Sequence, residues 1–471
     1  YSFLANAGVS IQTATSVSSP LKVSQVQISP VQGSIAPAGV AIIRSSEVSG
    51  MKSATSVALS GGIRTGTLYA DNTEATVRTD GVRTGLALAN PSAQDVEISF
   101  FFTDGNGIEI KSGVYTLLAN RQISAFLDES PFNGPAAFRG TFTFASSAPI
   151  SATGTRTMIQ KSGEFQLQSL PVTTDSAASS SRLLPLFVDG NGWSTEVVLM
   201  NRSTTLQTGS VQFSGPGPSG DRTPVIEMTV NGVSASTFNY SVPPRSIARL
   251  VTSGTGSSVK SGSVRIMANA GEGSSSGAPD AVAILSFKAG GETVSETSLS
   301  ALPTGTKFRA YVESSNSPVW VSSGLSVANS SNVSNMVNFE LHGLDGSLLG
   351  STSLTLPPNG HVSQYLKELF PSLGDGFKGL IHVTSAGPVA FAVLHCMYNA
   401  DGQFMFTSTP VLNEANASPS GGLTFPLVAA GAGYDTQLVL YGRSGQSGEG
   451  EIQVISRDGV PQTTSSLGIV P

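Results

Sequence analysis

A chain of 471 residues is too long for one hydrophobic core, which argues for two to four domains. Its 39% hydrophobic content excludes a disordered chain, and its 12% charged content is about half that of an ordinary cytoplasmic enzyme. A net charge of −6 without a basic cluster argues against a nucleic-acid surface, and no apolar run approaches the roughly 18 residues of a membrane span.

Five segments follow one another along the chain: 1–66, 67–173, 182–306, 307–412 and 423–471. The first, opening with "YSFLANAGVSIQTAT", lacks the basic start and apolar centre of a signal peptide, so an exported protein is expected to be a trimmed chain. In 67–173, "VEISFFF" alternates Val96, Ile98, Phe100 and Phe102 with polar residues, the period of a half-buried strand. The turn "TDGNG" follows it, and "AFLDESP" hints at a helical turn stopped by Pro131. Segment 182–306 opens with "RLLPLFVDGNGWSTEVVLMN". Segment 307–412 alternates Val337, Phe339 and Leu341 with Asn338, Glu340 and His342, and its "QYLKELFP" again stops at a proline, Pro371. The stretches "SSPL" near Pro20, "TTDSAASSSR" and "NEANASPSGG" read as exposed connections.

Repeats organise these segments. Module B occurs twice, in 67–173 and 307–412. "GLALANPSAQDVEISFFFTDGNG" matches "GLSVANSSNVSNMVNFELHGLDG", and Val172 corresponds to Val411 at an offset of 411 − 172 = 239. Module A is whole in 182–306. Its opening recurs at the end of the chain, where Pro426, Gly431, Gly433, Tyr434 and Thr436 match Pro185, Gly190, Gly192, Trp193 and Thr195. Its closing half recurs at the start, where "YSFLANAGVSIQTAT" lies on "YSVPPRSIARLVTSG". The order is half A, B, A, B, half A, and the halves are complementary. Dense strand and turn signals in units of roughly 100 to 125 residues predict an all-β chain of tandem immunoglobulin-like β-sandwich domains. They are of two alternating types, with one domain split between the two chain ends. A β-propeller is the alternative, but its shorter blade repeat is not seen.

Chemistry-bearing residues are sparse. His342, His361, His382 and His395 lack zinc-site spacing, and a solvated strand face is expected for His342 and His382. Cys396, the only cysteine, is expected to be an inert, half-buried thiol, and its neighbour His395 points to the opposite face of a strand. The glycine turn after Asp189 reads as a tight turn rather than a calcium loop. Trp193 and Trp320 are the only tryptophans, and Trp193 recurs as Tyr434, which favours packing over sugar stacking. Sequons stand at Asn201, Asn239, Asn329, Asn332 and Asn416. No catalytic residues, cofactor or metal are expected, and the chain reads as non-enzymatic.

The runs "GLALANPSAQDVEISFFFTDGNG", "FLDESPFNGPAAFRGTFTFASSAPIS" and "LPLFVDGNGWSTEVVLMN" resemble tandem all-β repeats of large, poorly characterised exported proteins of environmental, Acidobacteria-like bacteria. That resemblance implies secretion and an all-β repeat architecture, and no catalytic residue. The resulting expectation is a structural subunit of an extracellular or cell-surface filament. Tyr1, Phe3, Val9 and Ile11 would lack partners within the chain and would join Phe425, Leu438, Leu440, Ile452 and Val454 of a neighbour, giving a head-to-tail homopolymer. Alternatives are closure of the two ends within one chain, a window of a longer tandem polypeptide, and a surface adhesin or glycan-binding repeat protein. Nucleic acid and membrane insertion are not expected.

Overall fold

The computed structural model describes all residues except 14–17, 74–80, 160–164, 175–178, 217–224, 270–276, 318, 417–422, 463–468 and 471. Among the described residues the chain is nearly all antiparallel strand, with a single helical turn, Leu366–Leu369. That helix is the "QYLKELFP" hint, and its Glu368 carboxylate accepts from the Tyr365 N–H at 2.7 Å. "AFLDESP" instead ends a strand in a turn.

Segment 67–173 shows the plan, with its first strand, Ile63–Asn72, beginning just before it. The strands Gly81–Ala89, Val96–Asp104, Glu109–Leu117, Gln122–Phe126, Phe138–Ile159 and Phe165–Leu170 follow. The first half of Phe138–Ile159 lies between Ile63–Asn72 and Val96–Asp104, and its second half lies between Gly81–Ala89 and Phe165–Leu170. The change of partners falls around Pro149, which has no N–H to give the ladder. The two sheets enclose one core, in which Leu68, Leu88, Phe102 and Phe142 are completely buried. The even-numbered apolar residues of "VEISFFF" face that core, as their alternation requires.

The same strand order recurs three times. Segment 182–306 pairs Ser181–Asp189, Lys260–Ala268, Gln207–Ser214 and Thr237–Val242 in one sheet. Its second sheet runs Ile247–Val251, Trp193–Met200, Asp280–Ala289 and Glu292–Ser300. Segment 307–412 follows the plan with the long strand Phe377–Tyr398, whose pairings break near Gly387 and Pro388. The fourth set comes from both ends of the chain. Leu423–Ala430, Lys22–Pro30, Gly448–Ser456 and Ser2–Phe3 form one sheet. Gly8–Thr13, Tyr434–Tyr441, Ala38–Glu47 and Gly50–Ala58 lie in the other.

These four units close into a ring because neither sheet of a unit is left bare. Tyr69 packs on Val198 and Ile284 of the following unit. Leu183 of that unit packs on Ala328 and Ala390 of the next. Tyr311 and Leu380 pack on Ile42 and Tyr441 of the terminal strands. The circle is completed where Ala87 and Leu167 join the core around Leu427. Edge strands from all four units meet at the centre. There the Phe406 and Ser408 amides donate to Ser295 Oγ and Thr297 Oγ1 at 3.0 and 2.8 Å, and Ser298 Oγ donates to the Ser169 carbonyl at 2.6 Å. Polar side chains thus satisfy strand edges that would otherwise be open to further pairing.

Ring packing corrects the reading of the histidines. His342 and His382 do occupy the polar phase of their strands, but all four histidines are buried. At these positions the outer face of the sheet meets the neighbouring unit, whereas Glu97 and Ser99 on the outer face of Val96–Asp104 stay exposed. His382 lies 3.4 Å from both the Glu340 and Glu414 carboxylates, and His395 lies 3.0 Å from Glu313.

Candidate assembly seam

The nine residues singled out for a subunit contact come together, but within one chain. Phe3, Phe425, Leu438, Leu440 and Val454 are buried in one cluster, and Tyr1, Val9, Ile11 and Ile452 pack against it half-buried. The expectation that they would lack partners within the chain is overturned. Gly8–Thr13 pairs with Tyr434–Tyr441, and Ser2–Phe3 pairs with Gly448–Ser456. The physical reason is the ring, which brings the first and last strands side by side, so the apolar faces of the two halves bury each other.

Glycines shape the seam. Phe3 lies over Gly448, where an added Cβ would fall 2.3 Å from its ring, and Tyr1 lies over Gly450, where the distance would be 2.6 Å. The two rings stack at 5.8 Å. The Tyr1 amino group donates to the Gly450 carbonyl at 2.7 Å, and the Gly450 N–H donates to the Tyr1 carbonyl at 3.0 Å. Burial pushes the Tyr1 phenol up to about 12.

The seam reproduces contacts made by continuous chain elsewhere. In 182–306, Tyr240 covers Gly209 as Tyr1 covers Gly450. Thr195 N donates to Thr252 Oγ1 at 2.9 Å, and its Oγ1 donates to the Val188 carbonyl at 2.8 Å. Across the seam Thr436 N donates to Thr13 Oγ1 at 2.8 Å, and Thr436 Oγ1 donates to the Ala429 carbonyl at 2.7 Å. Two chain ends therefore rebuild hydrogen bonds that one continuous segment makes locally. Gln437 adds a bond to Ser10 Oγ at 2.8 Å and accepts from Arg44 at 2.7 Å.

A corner shared by three units was missed in the sequence. The buried Asn90, Asn201 and Asn329 stand at the end of the second strand of their units. The Asn201 amide donates to the carbonyls of Thr205, Val242 and Pro243 at 2.7, 2.9 and 3.0 Å. Its oxygen accepts from the Ser203 N–H and hydroxyl at 2.9 and 2.7 Å. Asn90 with Ser92, and Asn329 with Ser331, repeat the arrangement. Gly442 holds the position in the terminal unit. The signal was present as "LANPS", "LMNRS", "VANSS" and "LYGRS", and it makes A and B variants of one module rather than unrelated types. It also separates the sequons. Asn201 and Asn329 are structural and buried, whereas Asn239, Asn332 and Asn416 are exposed.

Cys396 is fully buried rather than half-buried, because the unit 182–306 packs over its strand, and that burial pushes its thiol up to about 12, so it stays protonated. His361 is lowered by burial to about 3, and its Nε2 lies 2.8 Å from Ser326 Oγ. Ser326 in turn donates to the Pro185 carbonyl at 2.7 Å. This serine–histidine pair bridges two units through a backbone carbonyl. Gln122, at the equivalent place, reaches the Pro426 carbonyl at 3.2 Å. No cluster of three or more His, Cys, Asp or Glu side chains able to hold a metal occurs among the described residues.

The fold and seam define a class, an all-β protein of packed sandwich-like units whose two ends share a core. No protein-family model matches the chain, and no curated protein matches it. Among solved structures, dimeric latent PorU from Porphyromonas gingivalis is 9% identical with a TM-score of 0.16. The match covers 73% of this chain, which spans about a third (32%) of the PorU chain. The infectious bursal disease virus VP2 subviral particle is 8% identical with a TM-score of 0.13, over 79% of this chain and 84% of that one. Likeness at that level carries no argument about fold or function.

Proposed function

We propose that this chain is a non-enzymatic structural protein of the cell exterior, a ring of four immunoglobulin-like sandwiches, one of them split between the chain ends. The Greek-key alternation supports the sandwich type. In 182–306 and in the terminal unit the sixth strand pairs with the first and third and the seventh with the second and eighth, and in 67–173 and 307–412 the two halves of one long strand take those two places. The observation that carries the functional reading is the shared core of Phe3, Phe425, Leu440 and Val454. A core assembled from both ends makes the unit self-closing and suits a load-bearing building block. Low charge and neutral, serine-rich strand faces support an extracellular or cell-surface setting.

A filament is the second reading, and the seam favours it specifically. Contacts that close one ring can be exchanged between copies without any new interaction, which is how domain swapping builds polymers. Closure within a chain benefits from a high effective concentration, so rings are the expected form in dilute solution and filaments the form at high density. Ser2 and Glu449 are exposed Cα partners across the seam. In the Ser2→Cys/Glu449→Cys double variant, oxidation of dilute protein is expected to give an intrachain bond and a single monomer band. A covalent ladder at high concentration that persists on dilution, with fibres in electron micrographs, marks exchange. Failure to cross-link in either form would remove the seam and both readings that depend on it.

A further inference from the structure

Each unit turns one corner through a residue in the left-handed backbone region. Asn6, Asn120 and Asn359 take it with φ of 61°, 59° and 53°, and Arg245 takes it in 182–306 with φ of 55°. The positions correspond. The Asn120, Arg245 and Asn359 N–H groups donate to the carbonyls of Ser92, Ser203 and Ser331, and Asn6 follows Tyr1 as Arg245 follows Tyr240. Asparagine tolerates this conformation, whereas a long side chain is strained in it, and such strain collects at functional sites. The Asn6 and Asn359 oxygens accept from Arg309 and Arg265 of the neighbouring units at 3.1 and 2.6 Å. Arg245 has no such structural task. Its exposed guanidinium lies 5.9 Å from the centre of the Phe101 ring, and no carboxylate pairs with it among the described residues.

Beside Arg245 a cavity of about 550 Å³ opens between 67–173 and 182–306, lined by Phe101, Thr67, Thr103 and Thr143. The matching corner between 307–412 and the terminal unit is filled. There Arg309 and His382 are cross-strand partners where 67–173 has Thr67 and Thr143, and Glu340 and His342 stand for Phe101 and Thr103. Arg309 lies 3.3 Å from the buried Glu414 carboxylate. Threonine in place of arginine and histidine hollows out the corner of 67–173, and its cation comes from the opposite wall, at the position of Asn6. An arginine–carboxylate pair thus occupies one corner, and the other supplies the arginine alone. Arg202 lines the same cavity but is held by Asp280 at 2.7 Å and by the Thr174 carbonyl at 2.8 Å.

We propose that this cavity binds a small carboxylate, with Arg245 as its anchor. A guanidinium meets a carboxylate through two parallel N–H donors. The Ser99 and Thr143 hydroxyls and the Phe101 ring give the rest of the ligand polar and apolar contacts. Glu109, the one acid of the described lining, forms no ion pair with Arg245. One guanidinium with an acid in the same lining suits a single negative charge better than a phosphate dianion.

The full chain is titrated with D-galacturonate and with butyrate, and with the neutral galacturonate methyl ester and butyramide, following amide shifts by NMR. Saturable shifts at Phe101 and Arg245 are expected with an acid and none with its neutral counterpart. Response to galacturonate alone assigns sugar acids, to butyrate alone plain carboxylic acids, and to both a general carboxylate site. Arg245→Asn installs the residue of the other three corners, so stability is expected to be kept or raised while binding weakens about tenfold or more. Glu109→Gln removes a repelling charge and is expected to tighten binding about twofold or more. No response to either acid up to ~10 mM, the range of the weakest useful affinities, overturns the proposal. So do equal binding of the neutral counterparts, binding that folded Arg245→Asn leaves unchanged, and binding that Glu109→Gln weakens.

Discussion

Val9 and Leu440, from opposite ends of the sequence, are cross-strand partners in one antiparallel sheet. Around that pair the chain forms a core that neither end could form alone. Strands from each end carry an apolar face, and in this fold those faces bury each other.

Truncating that core should therefore unfold the seam. Phe425 is fully buried among side chains from both ends. Phe425→Ala is expected to cost about 3–5 kcal/mol, the range for buried aromatic deletions. A lowered urea midpoint checks this, and an unchanged midpoint would mean that the seam adds nothing to stability.

Gly448 gives a sharper test of geometry. Gly448→Val places a branched side chain where the Phe3 ring lies, since even a Cβ would fall 2.3 Å from it. Displacement of Ser2–Phe3 from its strand partner is expected. Faster amide exchange at Phe3 and Gly448, with the exchange at Leu88 unaltered, is the signature.

The buried asparagines predict both stability and modification. Asn201→Asp replaces an amide donor to three carbonyls with a carboxylate facing the same oxygens, at an expected cost of about 3 kcal/mol or more. Produced in a glycosylating host, the folded protein is expected to carry glycans at the exposed Asn239, Asn332 or Asn416 and none at Asn201 or Asn329. Peptide mass spectrometry distinguishes the sites.

His361 predicts a pH dependence. Its folded pKa, lowered to about 3, lies below the ordinary value of 6.5, so unfolding takes up a proton between those limits. Stability from this group is complete above about pH 6.5 and is lost as pH falls toward 3. His395 is lowered too, by burial, and acts with the same sign. His361→Gln, which places there the residue found at position 122, is expected to flatten the fall in stability between pH 6.5 and 3. An equally steep fall in the variant would show that His361 is not its source.

Some of this was legible in single residues. The alternation in "VEISFFF" set which side chains enter a core, and the matched glycines and prolines of the repeats set how many units there are. Complementarity of the two ends also followed from the motifs alone. The histidines were misread because alternation separates the two faces of a strand without saying what covers the outer one. His382 is polar in phase and still buried, because a second unit lies upon it. Leu167 and Phe406 show the same limit from the other side. Equivalent in the repeat, one closes an aliphatic corner and the other joins an aromatic cluster.

The sequence by itself determined the all-β character, the repeat and the pairing of its halves, because strand period and turn chemistry are local properties of the chain. Only the tertiary structure decided that the two ends meet in one molecule, that some polar strand faces become interfaces, and that the two tryptophans lie in one aromatic cluster. Those outcomes depend on how sheets stack around a closed ring, a relation between residues hundreds of positions apart that no local pattern encodes.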